Sequence, residues 1–202
     1  MPRARGERRQ EILQALAAEL ERNPGGRITT ARLAQSLEVS EAALYRHFPS
    51  KARMYEGLIE FAEESVFSLF ATILHDERDF VRCCERSGAV MLTFASRNPG
   101  IARVLMGDAL VGEHERLRAR VNQFFDRCET QFRQNLNQYE LNPGRRLRLP
   151  ASVGANLMMA YIEGRIAQFL RSQFRTLPDA DWPRAWPALA SAIFGAESLG
   201  TS

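Results

Sequence analysis

Cysteine is scarce and poorly spaced for chemistry. The 202 residues hold three, of which Cys83 and Cys84 are adjacent and Cys128 stands apart. That spacing excludes a disulfide framework and a zinc-ligand set, and leaves small helix residues kept reduced. Lysine is scarcer still: Lys51 is alone among 27 basic residues, and all the others are arginine. Arginine suits forked contacts to phosphate and carboxylate. No apolar run approaches the ~20 residues that span a bilayer. The start MPRARGERRQ also lacks the apolar stretch of a secretory leader. The expectation is a cytoplasmic protein with no membrane partner. Runs of alternating β-branched residues are missing, which argues against strands. Paired carboxylates, a nucleophile elbow, a phosphate-cradling glycine loop and a metal cluster are all absent at usable spacing. Neither an enzyme, a cofactor nor a metal is therefore expected, and Glu63-Glu64 reads as a solvated spot on a helix.

What is present is helix. Ile12, Leu13, Leu16, Ala17 and Leu20 fall on one stripe and predict a helix over 7–22, ended by Asn23-Pro24-Gly25-Gly26. Short helices follow at about 30–37 and 41–47, and Ser50 is placed to cap a long one over 51–74. Further helices are expected at 79–96, 99–106, 109–138, 151–174 and 181–198. The basic segment Arg145–Arg148 after Asn142-Pro143-Gly144 reads as a mobile loop. The plan is all-α, a three-helix head over 1–50 and a six-helix body over 51–202.

Charge is unevenly placed along that plan. Residues 1–53 carry ten basic and six acidic side chains, a net +4, which leaves −1 for the rest. A basic quarter on a nearly neutral body points to a localised polyanion contact.

Within the head, ITTARLAQSLEVSEAALYRHF has the pattern of two short helices sharing a small core. Leu33, Leu37, Val39 and Leu44 supply the apolar contacts, and Ala34 is small where the helices cross. Ser40 is placed to cap the second helix and Thr29 or Thr30 the first. This is helix-turn-helix spacing, whose second helix enters the major groove. Ser40, Glu41, Tyr45 and Arg46 lie away from the packing side. Tyr45 and Arg46 are read as DNA contacts, and Thr29 and Thr30 as a phosphate contact. His47 and Phe48 are read as fastening the head to the following helix. Glu38 occupies a turn position that often takes a left-handed conformation, at a cost of roughly 1 kcal/mol for a non-glycine residue.

At ITTARLAQSLEVSEAALYRHFPSKARMYEGLIEF the chain resembles the tetracycline-repressor (TetR) family, with Tyr45, Phe48 and Lys51 at its Tyr-x-x-Phe and Lys positions. The phrases EILQALA, RITTARLA, RNPGIARVLMGDAL and VNQFFDR extend the resemblance to that family's nucleoid occlusion branch, over about residues 7–136. The resemblance implies a homodimer on palindromic double-stranded DNA, with one or more dimers per site, associated with the nucleoid. It maps DNA contacts to Thr29, Thr30, Ser40, Glu41, Ala42, Tyr45, Arg46 and Lys51, assisted by Arg8, Arg9 and the other N-terminal arginines. It also implies a partner, the tubulin-like division GTPase FtsZ, held by Phe61, Val90, Arg97 and Asn98.

The last two long helices are the expected dimer surface, through Leu157, Tyr161, Ile162, Phe169, Trp186 and Leu189. A ligand-responsive repressor is the alternative, with Met91, Met106, Met158 and Met159 offered as pocket lining.

Overall fold

The computed structural model describes residues 5–24, 26 and 28–194. Among these residues the regular structure is entirely helical. In chain order the helices are α1 (Arg5–Arg22), α2 (Thr30–Ser36), α3 (Glu41–His47), α4 (Lys51–Asp76) and α5 (Phe80–Arg97). They are followed by α6 (Pro99–Leu105), a 3-10 turn at Asp108–Leu110, α7 (Glu115–Leu141), α8 (Ala151–Arg171) and α9 (Trp182–Phe194).

The chain forms two compact units. The first runs to Glu64 and takes in Asn98–Asn122; the second holds Ser65–Arg97 and the chain from Gln123. Within the first unit α6 packs against α1 of the three-helix head.

In the first unit Ile12, Leu16 and Leu20 of α1 are buried with Leu33, Leu44, Phe48, Leu58 and Ile101. This is the stripe that the helical spacing predicts. The approach of α6 to α1 depends on Gly100, where an added Cβ would lie 2.0 Å from the Ala17 carbonyl oxygen. Two charged side chains are buried here, Glu19 and Arg103. The Arg103 guanidinium donates to the Leu20 carbonyl at 2.7 Å, the Asn23 carbonyl at 2.8 Å and the Asp108 carboxylate at 2.5 Å. It thereby satisfies carbonyls that the end of α1 leaves without helical partners. Glu19 pairs with Arg22 at 2.8 Å and Arg32 at 3.1 Å, tying the end of α1 to α2.

In the second unit a run of rings fills the core. Phe67 meets Phe70 at 5.7 Å and Phe124 at 5.9 Å, while Trp182 lies tilted against Trp186 at 5.4 Å. The Trp182 indole N–H donates to the Glu85 carbonyl at 3.1 Å. All three cysteines are buried, and none is in a disulfide. Burial, with Glu77 and Asp79 nearby, pushes the Cys83 thiol up to about 11, and burial pushes Cys84 up as well. Met91, Met158 and Met159 are core and Met106 is half-buried, which places three of the four methionines within the packing.

Three expectations are corrected. The helix expected over 109–138 is broken, because Gly107 and Gly112 take φ of 78° and 76° and α7 begins only at Glu115. The eighth helix stops at Arg171 and not 174, since Gln173 and Phe174 turn left-handed at φ 53° and 65°. The basic segment after α7 is held: Leu147 N–H donates to Glu140 at 3.2 Å and Arg148 N–H to the Ile193 carbonyl at 2.8 Å. The expected extension of the last helix over 195–198 lies outside the described residues, as do Arg3 and Arg27.

Candidate DNA-contacting surface

The α2–turn–α3 segment builds itself from local chemistry. Thr29 caps α2, its hydroxyl accepting from Arg32 N–H at 3.3 Å, and Ser40 caps α3 by accepting from Ala43 N–H at 3.2 Å. Glu38 takes φ 53°, the left-handed turn position that the sequence marks. Leu33, Ala34 and Leu44 are buried between the two helices, with Leu37 and Val39 half-buried.

That packing turns one polar face outward. Thr29, Ser40, Glu41, Ala42, Tyr45 and Arg46 are exposed and Thr30 is half-buried. Three of these side chains form a relay across α2 and α3. The Tyr45 hydroxyl donates to Thr30 Oγ1 at 3.3 Å, and Thr30 Oγ1 donates to Glu41 Oε2 at 2.5 Å. Eleven and fifteen residues separate Thr30 from its partners, so no local spacing rule announces the relay.

The remaining basic residues are differently engaged. Lys51 pairs with Glu113 at 2.5 Å and lies 5.5 Å from the Tyr55 ring centre. Arg8 pairs with Glu11 at 2.5 Å. Arg9 lies 4.2 Å above the Phe48 ring and reaches the His47 carbonyl at 3.5 Å. Phe48 is fully buried and His47 half-buried. Glu113 was not foreseen: it stands 62 residues from Lys51, in the break before α7.

A second feature of the first unit concerns the partner residues. Phe61 and Asn98 line an apolar pocket of about 230 Å³ together with Leu13, Ala17, Leu58 and Ile101, with Gln10 and Gln14 at its wall. Phe61 is 44% exposed despite its size. Val90 and Arg97 belong to α5 in the second unit, where Val90 is half-buried and Arg97 exposed.

The expected dimer residues divide. Ile162, Phe169 and Trp186 are buried within the second unit, at 0%, 1% and 4% exposure. They are core and offer no face to a second copy. Leu157, Tyr161 and Leu189 are half-buried. The exposed positions of α8 include Val153, Asn156, Ala160, Gly164 and Gln168, and those of α9 are Pro183, Arg184, Pro187, Ala188 and Ala192.

Known proteins share this organisation. Residues 12–58 match a family described as bacterial regulatory proteins, tetR family, and residues 78–193 one described as tetracyclin repressor-like, C-terminal domain (SlmA-like). The nucleoid occlusion factor SlmA of Shewanella baltica (strain OS155) is 54% identical over 179 residues, covering 89% of this chain and 91% of that one. The protein of the same name from Shewanella sp. (strain MR-4) gives the same identity and coverage. Among solved structures, the ketosteroid transcriptional regulator KstR2 of Mycobacterium tuberculosis superposes with a TM-score of 0.74 at 14% identity, over 93% of this chain and 95% of that one. PfmR, a TetR family transcriptional regulator from Thermus thermophilus, gives 0.71 at 18% identity, over 88% and 96%. At such identities these two structures establish the fold alone.

Proposed function

Because the chain belongs to the tetracycline-repressor family of DNA-binding regulators, within its nucleoid occlusion branch, we propose that it blocks cell division over the chromosome. In this reading a homodimer binds palindromic chromosomal sites and, while bound, engages FtsZ and prevents ring assembly. The observation that carries the reading is the extent of the likeness: 54% identity over 179 residues, 89% of this chain, a span that must take in both head and body. Bodies in a family of ligand-responsive repressors need share only a fold, as the low identities of the solved neighbours illustrate. The family is one of regulators, so its action is binding and placement.

Each part of the structure has a task in that scheme. α3 enters the major groove with Ser40, Glu41, Ala42, Tyr45 and Arg46 toward the bases and phosphates. Thr29, Thr30, Lys51, Arg8 and Arg9 flank it toward the backbone. The pocket walled by Phe61 and Asn98 receives an apolar side chain of FtsZ, and Arg97 pairs with an FtsZ carboxylate. The exposed faces of α8 and α9 meet their copies across a two-fold axis, with Leu157, Tyr161 and Leu189 at their margins.

A duplex titration followed by fluorescence anisotropy tests the DNA part. Affinity should fall steeply with salt, with a log–log slope of about −0.9 for each neutralised phosphate. Tyr45→Ala should weaken binding roughly ten-fold, as loss of one good contact does, with helicity and sedimentation as a dimer unchanged. A flat salt response, or a monomer at micromolar concentration, would contradict the scheme.

A further inference from the structure

The relay on the head surface has a direction, and the direction constrains what each group does next. Tyr45 gives its hydroxyl proton to Thr30, and Thr30 gives its own to Glu41. Both protons are thereby committed within the protein, and the relay ends on a carboxylate that can only accept. One carboxylate oxygen, Oε2, is occupied by Thr30. The other, Oε1, has no partner among the described residues.

Glu41 is the first residue of α3 and is exposed. The first turn of a recognition helix is the part that reaches base edges. A carboxylate there is repelled by the phosphates on either side, and a base-edge donor is what offsets that repulsion. In the major groove only the amino groups of cytosine and adenine donate. Adenine sets the N7 acceptor beside its amino group, which an acceptor-only carboxylate opposes. Cytosine presents its N4 amino group without that neighbour, and carboxylates accept from it.

We propose that Glu41, held by Thr30 and Tyr45, is a specificity-determining residue that accepts from a cytosine amino group and so fixes one C·G pair in each half-site. The inference rests on the reading of α3 as the helix that enters DNA. Thr30 and Tyr45 are then positioning residues for Glu41: they hold its Oε2 and aim Oε1.

The test is selection of bound duplexes from a pool with randomised palindromic half-sites, using the full chain, Glu41→Ala and Glu41→Gln, followed by sequencing. Circular dichroism and thermal melting establish that the variants fold. The unaltered chain should select a palindrome with cytosine fixed at one position of each half-site. Replacing that pair should cost roughly ten-fold or more in affinity, the usual effect of a lost base contact. With Glu41→Ala all four bases should be accepted there, while selection elsewhere in the palindrome persists. With Glu41→Gln the preference should move to adenine, because an amide pairs with both N6 and N7.

If the folded Glu41→Ala protein selects the same sequence as the unaltered chain, Glu41 reads no base and the inference fails alone. If that variant loses selection at every position while keeping its helicity, Glu41 serves only to order Thr30 and Tyr45, which also overturns it. If the unaltered chain selects no sequence at all, the DNA-reading role of α3 falls together with the inference.

Discussion

At Arg103 a guanidinium, 2% exposed as a residue, finds two backbone carbonyls and one carboxylate. Its removal leaves the end of α1 with buried acceptors, so Arg103→Met should destabilise the fold by roughly 3 kcal/mol. Denaturant unfolding monitored by far-UV dichroism measures this, and a change within about 0.5 kcal/mol, typical of a surface substitution, would contradict it. Nothing in the sequence marks Arg103, because its partners are carbonyls of residues about eighty positions earlier. Glu38 was legible for the opposite reason. A tight turn between two short helices needs a left-handed residue at a fixed offset, and that geometry is local. The cap at Ser40 was legible on the same ground, and that of α2 was narrowed to Thr29 or Thr30, since a cap acts on backbone two or three residues ahead. The Thr30–Glu41 contact crosses from one helix to another and had to await the fold.

Elements divide in the same way. Stripes at helical spacing located α1 to α6 to within a few residues, because each buries one face and the sequence repeats that face every turn. The α7 start was misplaced, since glycines that take positive φ look in sequence like glycines tolerated within a helix. On α8 and α9 apolar residues outnumber what one face needs, so periodicity did not separate core from surface. Burial does: Ile162, Phe169 and Trp186 are inside, and the exposed positions mix small residues such as Ala160, Gly164, Ala188 and Ala192 with polar ones. At the start of α4 the Lys51–Glu113 pair is largely enclosed, with side chains 20% and 12% exposed. A phosphate approaching Lys51 must compete with that carboxylate. Glu113→Gln should therefore raise duplex affinity about three-fold, in keeping with the ~1 kcal/mol or less of a partly exposed pair. Anisotropy titration at fixed salt reads this directly. An unchanged or lower affinity would remove Lys51 from the DNA-contacting set.

For the whole molecule, the uneven charge was legible early, and it agrees with a family of DNA-binding regulators. Partner choice is less legible. Phe61 and Asn98 come together at one pocket, and only in the proposed scheme does a side chain of FtsZ enter it. The measurement that reaches this most directly is GTP-dependent FtsZ assembly, followed by light scattering and pelleting. The reactions contain this protein with its selected palindromic duplex, or with a scrambled duplex of equal length, and Arg97→Ala in parallel. Assembly should be suppressed with the palindrome, be spared with the scrambled duplex, and be restored by Arg97→Ala although that variant still binds DNA. Full assembly in the presence of the chain saturated with its palindrome would contradict the nucleoid occlusion reading.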